Sequence, residues 1–86
     1  MNIVYADEFR KQFGRLPADI QETFHSQENL FINNWRDSRL HIKKLSGQPV
    51  YFSFRVTRRY RVIFMFIEQG STLFATIAHR KDVYRD

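Results

Sequence analysis

Four arginines lie within seven residues, Arg55, Arg58, Arg59 and Arg61, in a stretch otherwise built of strand-forming residues. A guanidinium is planar, keeps its charge at every physiological pH, and can hold two phosphate oxygens at once. An exposed strand or turn tolerates one or two arginines, but packing has no use for four. The cluster points to a phosphate-facing surface. Lys43 and Lys44 precede it and Arg80 follows it. His79 closes an apolar run. The ordinary pKa of imidazole lets it act as either acid or base near neutral pH; its plainer alternative is a cap on a strand end. His25 and His41 read as surface residues.

Residues 51–66 must position this chemistry, and they read as a β-hairpin. In the first arm Phe52, Phe54 and Val56 alternate with Tyr51, Ser53 and Arg55. The second arm, Arg61 to Ile67, is apolar on both faces, which predicts a covered, interior strand. Thr57-Arg58-Arg59-Tyr60 lies between them. It has no Gly or Asn, so a connection looser than a two-residue primed turn is expected. The turn also sets the register. A two-residue turn would put Arg55 opposite Val62, on the other face from Arg61, whereas one extra residue would bring the two arginines together.

The 86 residues suit one domain, 1–86, with one core. The absence of cysteine excludes disulfides, thiolate metal sites and a cysteine nucleophile. Scattered histidines at 25, 41 and 79 form no zinc pattern, and neither a metal nor another cofactor is expected. No apolar run reaches the length of a membrane span, and no signal-peptide core opens the chain, so a cytoplasmic protein is expected. The charge is uneven. Residues 1–35 hold three basic and five acidic side chains, residues 36–61 eight basic and one acidic, and residues 62–86 three of each. So concentrated a basic block favours a polyanion or an acidic protein partner over a merely solvated face.

The remaining elements follow in order. Asn2 to Tyr5 reads as a short strand. Asp7 is placed to cap a helix striped with Phe9, Phe13 and Leu16. Pro17 closes it and suits the start of a second helix, from about Ala18 to about Asn33, whose buried face is Ile20, Phe24, Leu30 and Phe31. Trp35 can complete that stripe, residues 36–39 break the periodicity, Leu40, Ile42 and Leu45 anchor a segment whose polar side shows His41, Lys43 and Lys44, and residues 46–49 form a loop. Residues 68–71 form a turn, and Thr72 to His79 a last strand, where alternation groups Leu73, Ala75, Ile77 and His79. The order βααβββ predicts an α+β domain, with two N-terminal helices packed on a largely antiparallel four-stranded sheet.

Three elements occur in this order: Lys43-Lys44-Leu45-Ser46-Gly47, then Phe54-Arg55-Val56 leading to Tyr60-Arg61-Val62-Ile63-Phe64, then Ala78-His79-Arg80-Lys81-Asp82-Val83-Tyr84. Together they resemble the RelE/ParE superfamily of bacterial toxin–antitoxin toxins, over the whole chain. The resemblance implies the toxin of a type II system, bound by a cognate antitoxin through an acidic or mixed segment. In the RelE-like branch it implies a metal-independent endoribonuclease that cuts mRNA on the ribosome and so inhibits translation. In the ParE-like branch the toxin acts on DNA gyrase by binding, without cutting RNA.

RNA cleavage of this kind requires the 2′-hydroxyl to lose a proton, the leaving 5′-oxygen to gain one, and the growing phosphate charge to be stabilised. By the resemblance, Arg61 takes the arginine of the family's Tyr-Arg element. Arg55 matches an arginine six residues upstream in part of the RelE-like branch. Tyr84 matches a C-terminal tyrosine that could stack on a base or donate its phenol proton, or simply pin the tail. With His79 these form the catalytic set. Lys43, Lys44, Arg58, Arg59 and Arg80 would contact phosphates. Phe52 and Phe54 stand where some RelE-like members have lysines, and no carboxylate is placed as a general base.

Overall fold

The computed structural model describes residues 1–47, 49–68 and 70–83. The chain runs β1 (Asn2–Tyr5), α1 (Asp7–Gly14), α2 (Ala18–Asn33), a 3₁₀ turn (Ser38–Leu40), β2 (Lys43–Lys44), β3 (Phe52–Arg55), β4 (Tyr60–Glu68), β5 (Ser71–His79) and α3 (Arg80–Val83). The strands form one sheet in the order β1-β5-β4-β3-β2. All pairs are antiparallel except β1 with β5. The sheet therefore has five strands rather than four. The addition is Lys43–Lys44, which pairs with Ser53 and Phe52 at the edge. Two lysines give no strand signal of their own, so this strand exists only because β3 offers an edge. His41, with φ of 50°, turns the chain into it from the 3₁₀ turn.

β4 occupies the middle of the sheet, as its two-sided apolar character predicts. Phe64 and Phe74, paired across β4 and β5, are fully buried, with Phe31 of α2 edge-on to both at 4.9 and 5.3 Å. Phe9 and Phe24 extend this cluster toward β1, and Phe54 extends it toward β3. These rings make up most of what a small core can bury per residue. The helix starts one residue earlier than the Asp7 cap implies. Ala6 is the N-cap and Asp7 lies in the first turn, where its charge still favours the helix dipole.

Two expectations fail at Phe66 and at Leu73. Phe66 is 41% exposed instead of buried. It faces the helix side, but α2 ends at Asn33, and its ring neighbours are Trp35 at 5.1 Å and the strand residues Phe52 and Phe64, each at 5.7 Å. Leu73 pairs with Met65 while Ile77 pairs with Val62, with a register shift between them at Ala75. That bulge throws Leu73 to the opposite face from Ile77 and His79. It also leaves the Ile77 N–H to be met by the Gln12 side chain, at 2.9 Å. A second shift sets Ile67 outside the pairing, and Ile67 is 44% exposed.

Glu28 was not expected to be buried, yet it is. Its position follows from spacing, since 24, 28 and 31 share one helical face. The Tyr5 hydroxyl donates to its carboxylate, tying α2 to β1, and His25 Nδ1 lies 3.6 Å away. Burial, then the Glu28 hydrogen bond and charge, push the Tyr5 phenol above its ordinary pKa.

Phe64→Ala should cost about 3–5 kcal/mol in denaturant unfolding, and Phe66→Ala much less; equal losses would contradict this burial. Folded Tyr5 holds its proton more tightly than the unfolded chain does. Stability is therefore full below the ordinary tyrosine pKa of about 10 and falls as pH rises above it. Tyr5→Phe should flatten that alkaline decline in urea midpoints; an unaltered decline would assign it to other groups.

Candidate nucleic-acid interface

The β3–β4 turn decides which cations meet. Val56 and Thr57 N–H both donate to the Tyr60 carbonyl, at 3.0 and 3.3 Å, so the loop proper is Thr57–Arg59. This is the longer of the two turns considered from sequence. The Thr57 hydroxyl accepts from the Arg59 and Tyr60 N–H groups, both at 3.2 Å, and holds the loop without glycine. The resulting register puts Arg55 directly opposite Arg61, Ser53 opposite Ile63 and Phe54 opposite Val62. Phe54 and Val62 face the helices, so both arginines stand on the other face.

Like charges directly opposite each other destabilise a strand pair. Each arginine meets this differently. The Arg61 Nη1 donates to the carbonyls of Thr57, Arg58 and Tyr60 at 2.7, 2.8 and 3.2 Å, bracing the loop that created the pair. The Arg55 Nε is buried and has no hydrogen-bond partner among the described residues. A buried donor left unmet is costly and uncommon, and an incoming phosphate oxygen would satisfy it. Behind Arg55, Gln27 of α2 donates to its carbonyl at 2.9 Å and fixes that end of β3. Sequence reading passed over Gln27 as a gap in the helix stripe.

The other expected cations divide by register. Lys43, opposite Ser53, shares the arginine face, while Lys44, opposite Phe52, shares the helix face. Arg58, Arg59 and Arg80 are exposed at the turn end of the sheet, joined by the Arg80 N–H donating to the Arg59 carbonyl at 2.6 Å. Arg39, also in the basic block, is taken up by Asp37 at 2.7 Å, and that pairing holds the Asp37 carboxyl down at about 2.

His79 does not join the arginines. It pairs with Tyr60, one position from the Arg61–Ala78 pair, and so points to the opposite face. Its ring meets Tyr60 edge-on at 5.7 Å, and its Nδ1 accepts from the Lys81 N–H at 3.2 Å, capping α3. Glu68 ends β4, about 20 Å from Arg61 at the rise of a strand. Tyr84 lies outside the described residues. Among the described residues no group of three or more His, Asp or Glu side chains could hold a metal ion, and no helix is long and apolar enough to cross a membrane. A cleft of about 450 Å³ lies between the helices, lined by Tyr5, Phe9, Arg10, Phe13, Phe24 and His25. Its walls are largely core rings, remote from the arginine face.

Two helices backing a mixed sheet, with cations on the open face, define a recognised class of small α+β proteins. The chain superposes with TM-scores of 0.75 on a chain of the RelB-RelE antitoxin-toxin complex from Methanococcus jannaschii (24% identity, 94% of each chain), and of 0.78 on YafQ from E. coli (15% identity, 98% of each). The YoeB/ParE toxin from Agrobacterium tumefaciens gives 0.78 at 15% identity, over 93% of this chain and 99% of that one. No protein-family model and no curated protein sequence matches the chain. The fold is that of the RelE, YafQ and YoeB toxins.

The Arg61 brace predicts that Arg61→Ala loosens the turn. Amide exchange at Val56 and Thr57 should then rise well above wild type, with β5 unchanged. Equal protection in both proteins would remove the bracing role.

Proposed function

We propose that this chain is the toxin of a type II toxin–antitoxin pair, a ribosome-dependent endoribonuclease of the cytoplasm that cuts mRNA and so inhibits translation. The observation that carries the reading is the Arg55–Arg61 pair, with a buried and unmet Arg55 Nε, on the open face of a RelE-type sheet. In the reaction the 2′-oxygen attacks the adjacent phosphorus and the bond to the 5′-oxygen breaks. Arg55 would grip the phosphate as negative charge builds on its oxygens, with Lys43 on the same face as a second cation. Arg61 both frames this grip and adds its positive field. Arg58, Arg59 and Arg80 would hold the flanking backbone of RNA, and the salt dependence of binding should reflect them. Tyr84 remains the proposed phenol donor or base-stacking group. The cognate antitoxin would mask the basic surface with an acidic or mixed segment.

One observation favours a second reading. His79 faces away from the arginines and caps α3, so it brings no imidazole to the arginine face. A ParE-like toxin, which inhibits gyrase by binding alone, needs none. Under the nuclease reading His79 supports the turn through Tyr60.

Primer extension on mRNA in a translating extract separates the two. Cuts within translated codons are expected, and Arg55→Ala should slow them about 100- to 1000-fold, the effect of losing one donor to the transition state. Arg55→Lys should restore little, because a point charge cannot fork. His79→Ala should slow cleavage less than Arg55→Ala. Intact mRNA with inhibited gyrase supercoiling would replace the nuclease by the binding toxin.

A further inference from the structure

A second surface lies on the helix side, at the end of the sheet opposite the Thr57–Arg59 turn. Trp35, Phe52 and Phe66 meet there edge-on, with centroids 5.1 to 5.7 Å apart. α2 stops short of them, so Phe66 is 41% exposed and neighbouring Met1 51%. Met1, Trp35, Phe66, Gly70, Ser71 and Thr72 line a cleft of about 340 Å³. Scattered single apolar residues on a surface need no explanation, but a contiguous aromatic patch around a cleft marks an interaction site.

Two further observations say what fits. Thr72, in the cleft lining, is fully buried and its hydroxyl has no hydrogen-bond partner among the described residues. A peptide group entering the cleft would bring both a donor and an acceptor. Two cations stand on the same side of the sheet. The Arg36 guanidinium sits 5.0 Å from the Trp35 ring centroid. Lys44 shares the helix face with Phe52 through their pairing. Neither is ion-paired to a carboxylate among the described residues. An apolar anchor flanked by carboxylates would complement the cleft and its rim together.

We propose that the Trp35–Phe66 cleft docks an acidic peptide segment of a partner chain, through a leucine or aromatic side chain set between carboxylates. A nucleobase fits less well, since the Trp35 face is already covered by Arg36. The proposal does not depend on RNA cleavage, because the cleft and the arginine pair lie on opposite faces of the sheet.

The chain has a single tryptophan, Trp35, which reports on the cleft directly. The test titrates the full chain with the peptide acetyl-Glu-Glu-Leu-Phe-Glu-Glu-amide, following Trp35 fluorescence and, in parallel, heat by calorimetry. Saturable binding is expected, weakened at least tenfold by Phe66→Ser and severalfold by Arg36→Gln or by raised salt. Phe66 and Arg36 are exposed, so both variants should fold, as circular dichroism will check. No saturable signal at millimolar peptide would overturn the proposal. So would equal affinity for the glutamine counterpart, unchanged affinity in Phe66→Ser, binding of oligouridylate instead of peptide, or self-association that shields the cleft from the peptide. Translation inhibition by both variants is measured separately. Peptide binding by a wild-type chain that inhibits neither translation nor gyrase would reject the toxin reading and keep the docking site.

Discussion

The hydrogen bonds that close the Thr57–Arg59 turn onto the Tyr60 carbonyl set the register of the central strand pair. Side chains alternate with a period of two, so a slip of one residue would move Arg55 to the helix side and break the Phe54–Val62 contact in the core. Burial therefore enforces the same register that assembles the cations. Phe54 and Val62 are both fully buried, and a one-residue slip would turn one of them to the other face. The two faces of the hairpin are coupled: apolar packing on one holds two like charges together on the other.

That juxtaposition carries an electrostatic cost, and the surrounding structure offsets it locally. Arg61 turns back onto three loop carbonyls, whose partial charges oppose its own. Gln27 reaches from α2 to the backbone of Arg55 and to the Arg39 carbonyl, holding the strand against the helix layer. What stays unmet is the Arg55 Nε. Under the proposed function, that unmet donor is the group a phosphate oxygen would engage as charge builds on it.

Bulges and helix length govern the rest of the surface. The extra residue at Ala75 resets the face of everything after it in β5, which fixes His79 beside Tyr60 and leaves Ala78 opposite Arg61. The end of α2 at Asn33 limits how much of the sheet the helices cover. Phe64 lies under that cover and Phe66 beyond it, so these rings, two positions apart on one strand, differ from fully buried to 41% exposed. The basic open face and the aromatic cleft thus arise from one architecture, on opposite sides of one sheet.

Local patterns in the sequence determined the order of the main elements, the inward set Phe52, Phe54 and Val56, the central place of β4 and the looseness of the 57–60 connection. Each rests on a periodicity or a turn composition that neighbouring residues carry by themselves. The arginine cluster was legible for the same reason. Tertiary structure alone decided that Arg55 meets Arg61, that Lys43 and Lys44 part to opposite faces, that His79 stands on the other face from the arginines, and that Glu28 is buried. These depend on pairing between segments distant in the chain: a register, a bulge, an edge offered to two lysines, and a tyrosine on β1 within reach of a helix carboxylate. A sequence records which residues a strand holds, but the partner across the sheet determines which of them stand together.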